Sequence, residues 1–411
     1  MNTRRVFMKN SALAIFGVGA IPSWLSRSVY AGDAYGKRHK KILVAIFQRG
    51  AVDGLNMVVP FGEERYYQLR PSIAIPKPDG TPASAVDLDG FFGLHPSLAT
   101  LKPMFDARHL AIVDAVGSPD PTRSHFDAQD YMESGTPGLK ATGDGWMNRA
   151  LLKQAGAASP LRAVSLGSGL SRTLRGPNDA IAVNNLNDFQ VKDQKSQATF
   201  ESMYDHSHDT VLHGTGKETF SAVKIMQSIQ KQRYTPANSA RYPGGRFGQS
   251  LLQIARLIKA DVGVEVAFAD IGGWDTHVNE ANQLSNNLTE FGQSLAALYQ
   301  DLGARMEDVT VVTMSEFGRT VRENGDRGTD HGHANVMFVM GGDIRGGKVY
   351  GDWPGLANDE QLYEGRDLNL TTDFRDVLGE LVSRHMGNRN LNAVFPGYNT
   401  PKFRGLIGER S

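Results

Sequence analysis

Cysteine is absent from the 411-residue sequence. That excludes disulfides, thiolate metal sites, iron–sulfur clusters and cysteine nucleophiles at once. Neither sign of charge is in excess: 44 basic residues face 44 acidic ones, a formal net charge of zero. Four of the basic residues (Arg4, Arg5, Lys9 and Arg27) and no acid fall within the first 31 positions, so the rest holds 40 basic against 44 acidic residues, a net of −4. A body so balanced has no basic surface to drive nonspecific nucleic-acid binding, and nucleic acid is not expected as a partner. Long apolar stretches are missing too: the run from Ala12 to Leu25, broken by Pro22, is too short for a membrane span. With 40% hydrophobic and 21% charged residues, the chain is neither disordered nor a polytopic membrane protein. Its length suits one large α/β domain or two modest ones.

What is present begins with an address. Thr-Arg-Arg-Val-Phe-Met-Lys at positions 3–9 precedes the apolar run, and Val29-Tyr30-Ala31 offers small residues at the −3 and −1 positions of a cleavage site. This is the order of a secretory signal, and the paired arginines resemble the twin-arginine type. Residues 1–31 are therefore expected to be removed after export by the twin-arginine translocase. A mature chain from 32 to 411 would remain in the periplasm or be secreted, without a stable membrane span. Export of a folded protein would let a metal be loaded in the cytoplasm.

The mature chain alternates between apolar strands and amphipathic helices. Strands are predicted at 41–47, 110–115, 161–166, 263–269, 308–314 and 336–340. Helices are predicted at 96–109, 145–156, 220–233, 247–259, 284–302 and 373–385. Strands that are apolar throughout, alternating with helices, argue for a three-layer α/β/α sandwich around a mostly parallel sheet. We expect a single domain over 32–411. The polar stretch 167–218 would form an insertion or cap, and the Gly-, Pro- and Asn-rich last 20 residues would wrap the surface.

In open parallel sheets, ligands bind beyond the carboxyl ends of strands. Three predicted strands end in polar groups: Gly50–Asn56 with Asp53, Trp274-Asp275-Thr276-His277, and Ser315-Glu316-Phe317-Gly318-Arg319. Thr329-Asp330-His331-Gly332-His333 precedes another strand, and Thr122-Arg123-Ser124-His125-Phe126-Asp127 opens a helix. Asp53, His125, Asp127, Asp275, His277, Glu316, Asp330, His331 and His333 are all competent to hold a metal. Oxygen and imidazole donors without thiolate suit Zn²⁺, Mn²⁺, Mg²⁺ or Ca²⁺, as one or two ions. Asp-x-His and His-x-His put alternate side chains on one side of an extended segment. Any single pair has a plainer reading, as a helix cap or a solvated loop residue; several in one chain point to a polar active site. Ser124 has two readings. It is either an N-cap, with Asp127 as the acidic half of a capping box, or a hydroxyl nucleophile at the positive end of a helix, where phosphate or sulfate can sit. Arg123 and Arg319 would clamp such an anion, and Thr122 is the second hydroxyl.

Arg49–Asn56, Leu94–Pro96, Arg123–Asp127, Gly273–His277, Ser315–Thr320, Gly328–Ala334 and Gly346–Gly351 together resemble a twin-arginine-exported family catalogued as domain of unknown function fifteen-oh-one. That family is similar to the alkaline-phosphatase-like superfamily of sulfatases and metal-dependent phosphomutases. The resemblance implies an alkaline-phosphatase-like α/β/α sandwich with one or two divalent ions at the strand ends. It matches Asp53 to the first metal aspartate, Asp275 and His277 to the later metal loop, and His331 or His333 to the last metal histidine, with Ser124 near the nucleophile. The implied activity is hydrolysis of anionic phosphate or sulfate esters. Where the superfamily usually ends a core strand in Asp-His, this chain reads Glu316-Phe317. The phosphatase spacing Asp-x-x-x-His is Asp-x-His here, and no cysteine can become formylglycine. The alternative is a noncatalytic binding or assembly protein of the same fold. A redox protein finds no haem, cluster or dinucleotide motif to support it.

Overall fold

The run from Ile42 to Phe47 is apolar throughout, and with Gln48 it forms the central strand β1 (Ile42–Gln48), buried along its whole length. A strand can be apolar on both faces when helices cover both. In this computed structural model, residues 40–140, 142–153, 158–186, 222–231 and 233–408 are described. The expected signal, 1–31, and most of the expected insertion lie outside the described residues. The chain divides into two compact units. One joins Lys40–Asn184 to Tyr234–Ser411, and the other joins Met1–His39 to Asn185–Arg233. In the second unit, residues 222–231 form a helix. The rest of the architecture concerns the first.

Its sheet contains β1, β2 (Leu110–Gly117), β3 (Ala163–Leu166), β4 (Ile181–Val183), β5 (Val266–Ile271), β6 (Val309–Ser315), β7 (Asn335–Gly341), β8 (Lys348–Tyr350) and β9 (Thr372–Asp373). The order is β8-β2-β7-β6-β1-β5-β3-β4, with β9 beside β2. Every pairing is parallel except those of β7, which runs antiparallel to both β2 and β6.

Four helices matter here: α1 (His125–Ser134), α2 (Arg246–Lys259), α3 (Glu280–Leu302) and α4 (Phe374–Glu380). Leu43, Ala45, Phe47, Met337 and Val339 pack on one face with Trp146, Phe374, Val377 and Leu378. Phe338 alternates to the other face, where its ring lies 6.2 Å from Phe291 of α3, itself 6.0 Å from Phe247 of α2. The arrangement is thus the three layers expected. Each large side chain so buried contributes about 1.5–3 kcal/mol.

Two expectations are corrected. The helix expected at 145–156 is only Trp146–Ala150, because Leu151 leaves it in an extended conformation and the Ala150 carbonyl accepts from Asn388. The C-terminal segment is not simply a surface wrap: Leu406 and Ile407 belong to the core. The buried Glu380 carboxylate accepts the backbone N–H groups of Arg404, Gly405 and Ile407, and the Leu406 carbonyl accepts from the Arg345 N–H at 2.8 Å.

Register positions the site. Gln48 pairs with both Ile271 and Ser315, so β1, β5 and β6 end side by side. Asn335, which starts the antiparallel β7, pairs with Val116 near the end of β2. The loops after β1, β2, β5 and β6 and the loop before β7 therefore meet at one edge.

Candidate metal centre

At that edge three imidazoles and one carboxylate converge. His125 is the first residue of α1, Asp275 and His277 follow β5, and His331 precedes β7. The close approach of the loops needs Gly50, whose φ is +116° and whose added Cβ would lie 2.7 Å from the Asp275 nitrogen. The N–H of Gly50 donates to Glu316 (2.8 Å) and that of Val52 to Ser315 Oγ (3.2 Å), tying the β1 loop to the end of β6.

Each histidine is oriented through Nδ1. That of His125 donates to Glu316 Oε1 (2.8 Å), that of His277 to Asp330 Oδ1 (3.0 Å), and that of His331 to the Arg123 carbonyl (3.0 Å). The acceptors fix the tautomers. Burial works against the charge of Glu316, but hydrogen bonds from His125, Gln129 and backbone N–H groups together outweigh it and the pKa is lowered. The same holds for Asp330, where His277, Asn324 and Arg366 together outweigh burial. Both are acceptor-only carboxylates, and a carbonyl can only accept. All three Nε2 atoms therefore carry their lone pairs inward, that of His277 also lying 3.4 Å from Arg319 Nη1.

The inward atoms crowd together. His331 Nε2 is 3.0 Å from His125 Nε2, 3.1 Å from His277 Nε2 and 3.2 Å from Asp275 Oδ1. Asp275 Oδ1 is 3.0 Å from His277 Nε2, and Oδ2 is 3.5 Å from His125 Nε2. Lone pairs facing at 3.0 Å repel unless a cation, a proton or a metal ion, lies among them. The His125 pKa is raised, first by its hydrogen bond to Glu316, while that of His331 is lowered by burial and by His125. A tetrahedral ion with bonds of about 2.0–2.1 Å separates its donors by about 3.3 Å, close to the spacings here. His125, Asp275 and His331 each offer a ligand atom within 4.8 Å of the others, and His277 Nε2 lies beside two of them, His331 and Asp275.

The other expected site residues lie around this centre. Glu316 and Asp330 are outer partners of the imidazoles, the carboxylate–histidine arrangement that orients metal ligands. Asp53 stands apart: both its oxygens are bound by Arg70, and both side chains are buried. His333 also turns away, stacked 4.2 Å from Tyr363. Phe317 is a wall, its ring 5.0 Å from those of both His125 and His331.

Arg319 is buried and spends its donors on the protein: Ala51, Gly50, Trp274 and Thr329 carbonyls, His277 Nε2 and, at 2.6 Å, Asp275 Oδ1. None remains to clamp a ligand, and its role is to fix Asp275. Arg123 pairs with Asp367 and Glu364. Ser124 takes the N-cap position of α1 but makes no side-chain cap bond, and Asp127 pairs with Lys140 instead of closing a capping box.

Sequence reasoning did not single out Arg70 or Glu280. Glu280 reads as an ordinary acid in the first turn of a helix, and nothing local marks Arg70; only their burial, complete for both, sets them apart.

The family described as "Protein of unknown function (DUF1501)" matches residues 107–394. No match was found among curated proteins. Among solved structures, the chain is similar to the C-terminal periplasmic domain of EcEptC from Escherichia coli in complex with Zn. That likeness has 10% identity and a TM-score of 0.34, covering 74% of this chain and 73% of that one. It is also similar to the PsFucS1 sulfatase from Pseudoalteromonas sp., with 10% identity and a TM-score of 0.39, covering 95% of this chain and 79% of that one.

Proposed function

The chain belongs to the DUF1501 family, and within it we propose an exported, metal-dependent hydrolase of phosphate or sulfate esters with an alkaline-phosphatase-like fold. The observation that carries this reading is the convergence of three Nε2 atoms on Asp275, each imidazole held from behind at Nδ1. Three nitrogens and one carboxylate favour Zn²⁺ over Mg²⁺ or Ca²⁺, which take mostly oxygen. A divalent ion held there would polarise an ester oxygen as a Lewis acid.

The chain supplies the rest. His277 and Asp275 are 39% and 46% exposed at the side chain, so the centre opens to solvent on their side. Ser124, between the Arg123 carbonyl that holds His331 and the ligand His125, has a hydroxyl free of capping duty at the start of a ten-residue helix. It is the candidate nucleophile. Export rests on the motif at 3–9 and is tested by N-terminal sequencing of protein from the periplasm. Gly32 should be the first residue; an intact Met1 there would count against cleavage.

A second reading, a noncatalytic metal-binding protein, is favoured by the internal engagement of Arg123 and Arg319. One variant separates the two. Ser124→Ala should abolish hydrolysis of aryl phosphate, phosphodiester or sulfate esters with Zn²⁺ present and leave metal content unchanged. No turnover of any of these esters by the wild-type chain would move the assignment to the noncatalytic reading.

A further inference from the structure

Beneath the centre lies a second polar cluster that neither ligates nor faces solvent. Glu280, the first residue of α3, is wholly buried, as are Asp53, Arg70, Thr276 and Thr329. Thr276 sits between Asp275 and His277, and Thr329 lies two residues before His331. Both hydroxyls donate to the same atom, Glu280 Oε2, at 3.1 and 2.6 Å. The backbone reinforces the tie, since the Thr329 N–H donates to the Thr276 carbonyl at 3.2 Å. We propose that Glu280 is a positioning residue whose single oxygen clamps the two loops carrying Asp275, His277 and His331, setting the spacing of the metal centre. This rests on the metal reading above.

The other end of Glu280 explains its form. It meets Asp53, whose oxygens already receive Arg70. Two buried carboxylates cannot both stay ionised beside one guanidinium. Asp53 keeps its charge against burial because of Arg70, and the Glu280 pKa is raised by burial and by Asp53. The protonated form of Glu280 is thus favoured, while Oε2 accepts from both threonines and Oε1 from Asn56 Nδ2 at 3.4 Å. Arg70 also donates to the Thr320 and Val321 carbonyls at 2.8 Å, and Thr320 pairs with Asp330 through its N–H and its hydroxyl. The network thus reaches Asp330, the Nδ1 acceptor of His277.

A glutamine has the shape of a protonated glutamate, with an oxygen for the threonines and an N–H for Asp53. The test compares Zn²⁺ affinity, by competition with a chromophoric chelator, with the melting temperature of the metal-free protein. Glu280→Gln should keep the affinity within about twofold. Glu280→Ala and the double variant Thr276→Val/Thr329→Val should each weaken it about tenfold or more, the range for lost outer-shell support. The double variant decides the matter if the alanine variant fails to fold. Wild-type affinity in the double variant, whatever its melting temperature, would overturn the clamp, as would glutamine behaving like alanine. Absence of Zn²⁺ binding by the wild-type chain would overturn the metal reading first, and the clamp with it.

Discussion

Asp114 lies buried within β2, with one oxygen accepting from the Ala115 N–H at 2.7 Å and the other, Oδ2, unpartnered. Burial pushes its pKa up to about 7 from 3.8. Its neutral form suits the fold, so its favourable contribution is complete below about pH 4. That contribution is lost as pH rises towards 7, up to about 4 kcal/mol at most. We expect Asp114→Asn to raise stability at pH 8 and to change it little at pH 4, as read by denaturant unfolding. A difference that does not vary with pH would refute the burial argument. The same scale shows the reach of sequence reasoning. Asp275, His277, His331 and His125 are visible as polar pairs at strand ends. Asp53 has the same signature, yet it answers Arg70, and sequence does not reveal which cation a carboxylate meets.

The loops that build the centre approach as two extended segments, 317–320 and 330–334. The Gly332 N–H donates to the Gly318 carbonyl at 2.8 Å, and Arg319 bridges to His331. A Cβ on Gly332 would sit 2.4 Å from the Arg319 carbonyl carbon, so backbone must move. Gly332→Ala should displace His331, lowering Zn²⁺ content, and destabilise the fold by about 1–3 kcal/mol. Unchanged Zn²⁺ affinity would mean that the neighbouring strands do not fix His331. At this scale the strands were legible, because buried strands covered on both faces are largely apolar: Ile42–Phe47 is apolar throughout, and Val309–Met314 is interrupted only by Thr310 and Thr313. The buried tail was not, because its backbone is satisfied by one distant carboxylate, Glu380, which leaves no periodic trace.

Across the whole molecule, alternating strands and helices foretold three layers, and register then brought five loops to one edge. Those loops supply a single set of inward donors. Asp53 is sequestered by Arg70, and Arg319 sits permanently beside Asp275, so the described residues provide for one ion, not two. The most direct test is elemental analysis of the full mature chain after exhaustive dialysis against trace Zn²⁺, beside the variant His125→Ala/His331→Ala. About one Zn²⁺ per wild-type chain and essentially none in the variant is the expected result. A wild-type chain that holds no ion, or a variant that holds as much, would contradict the metal centre.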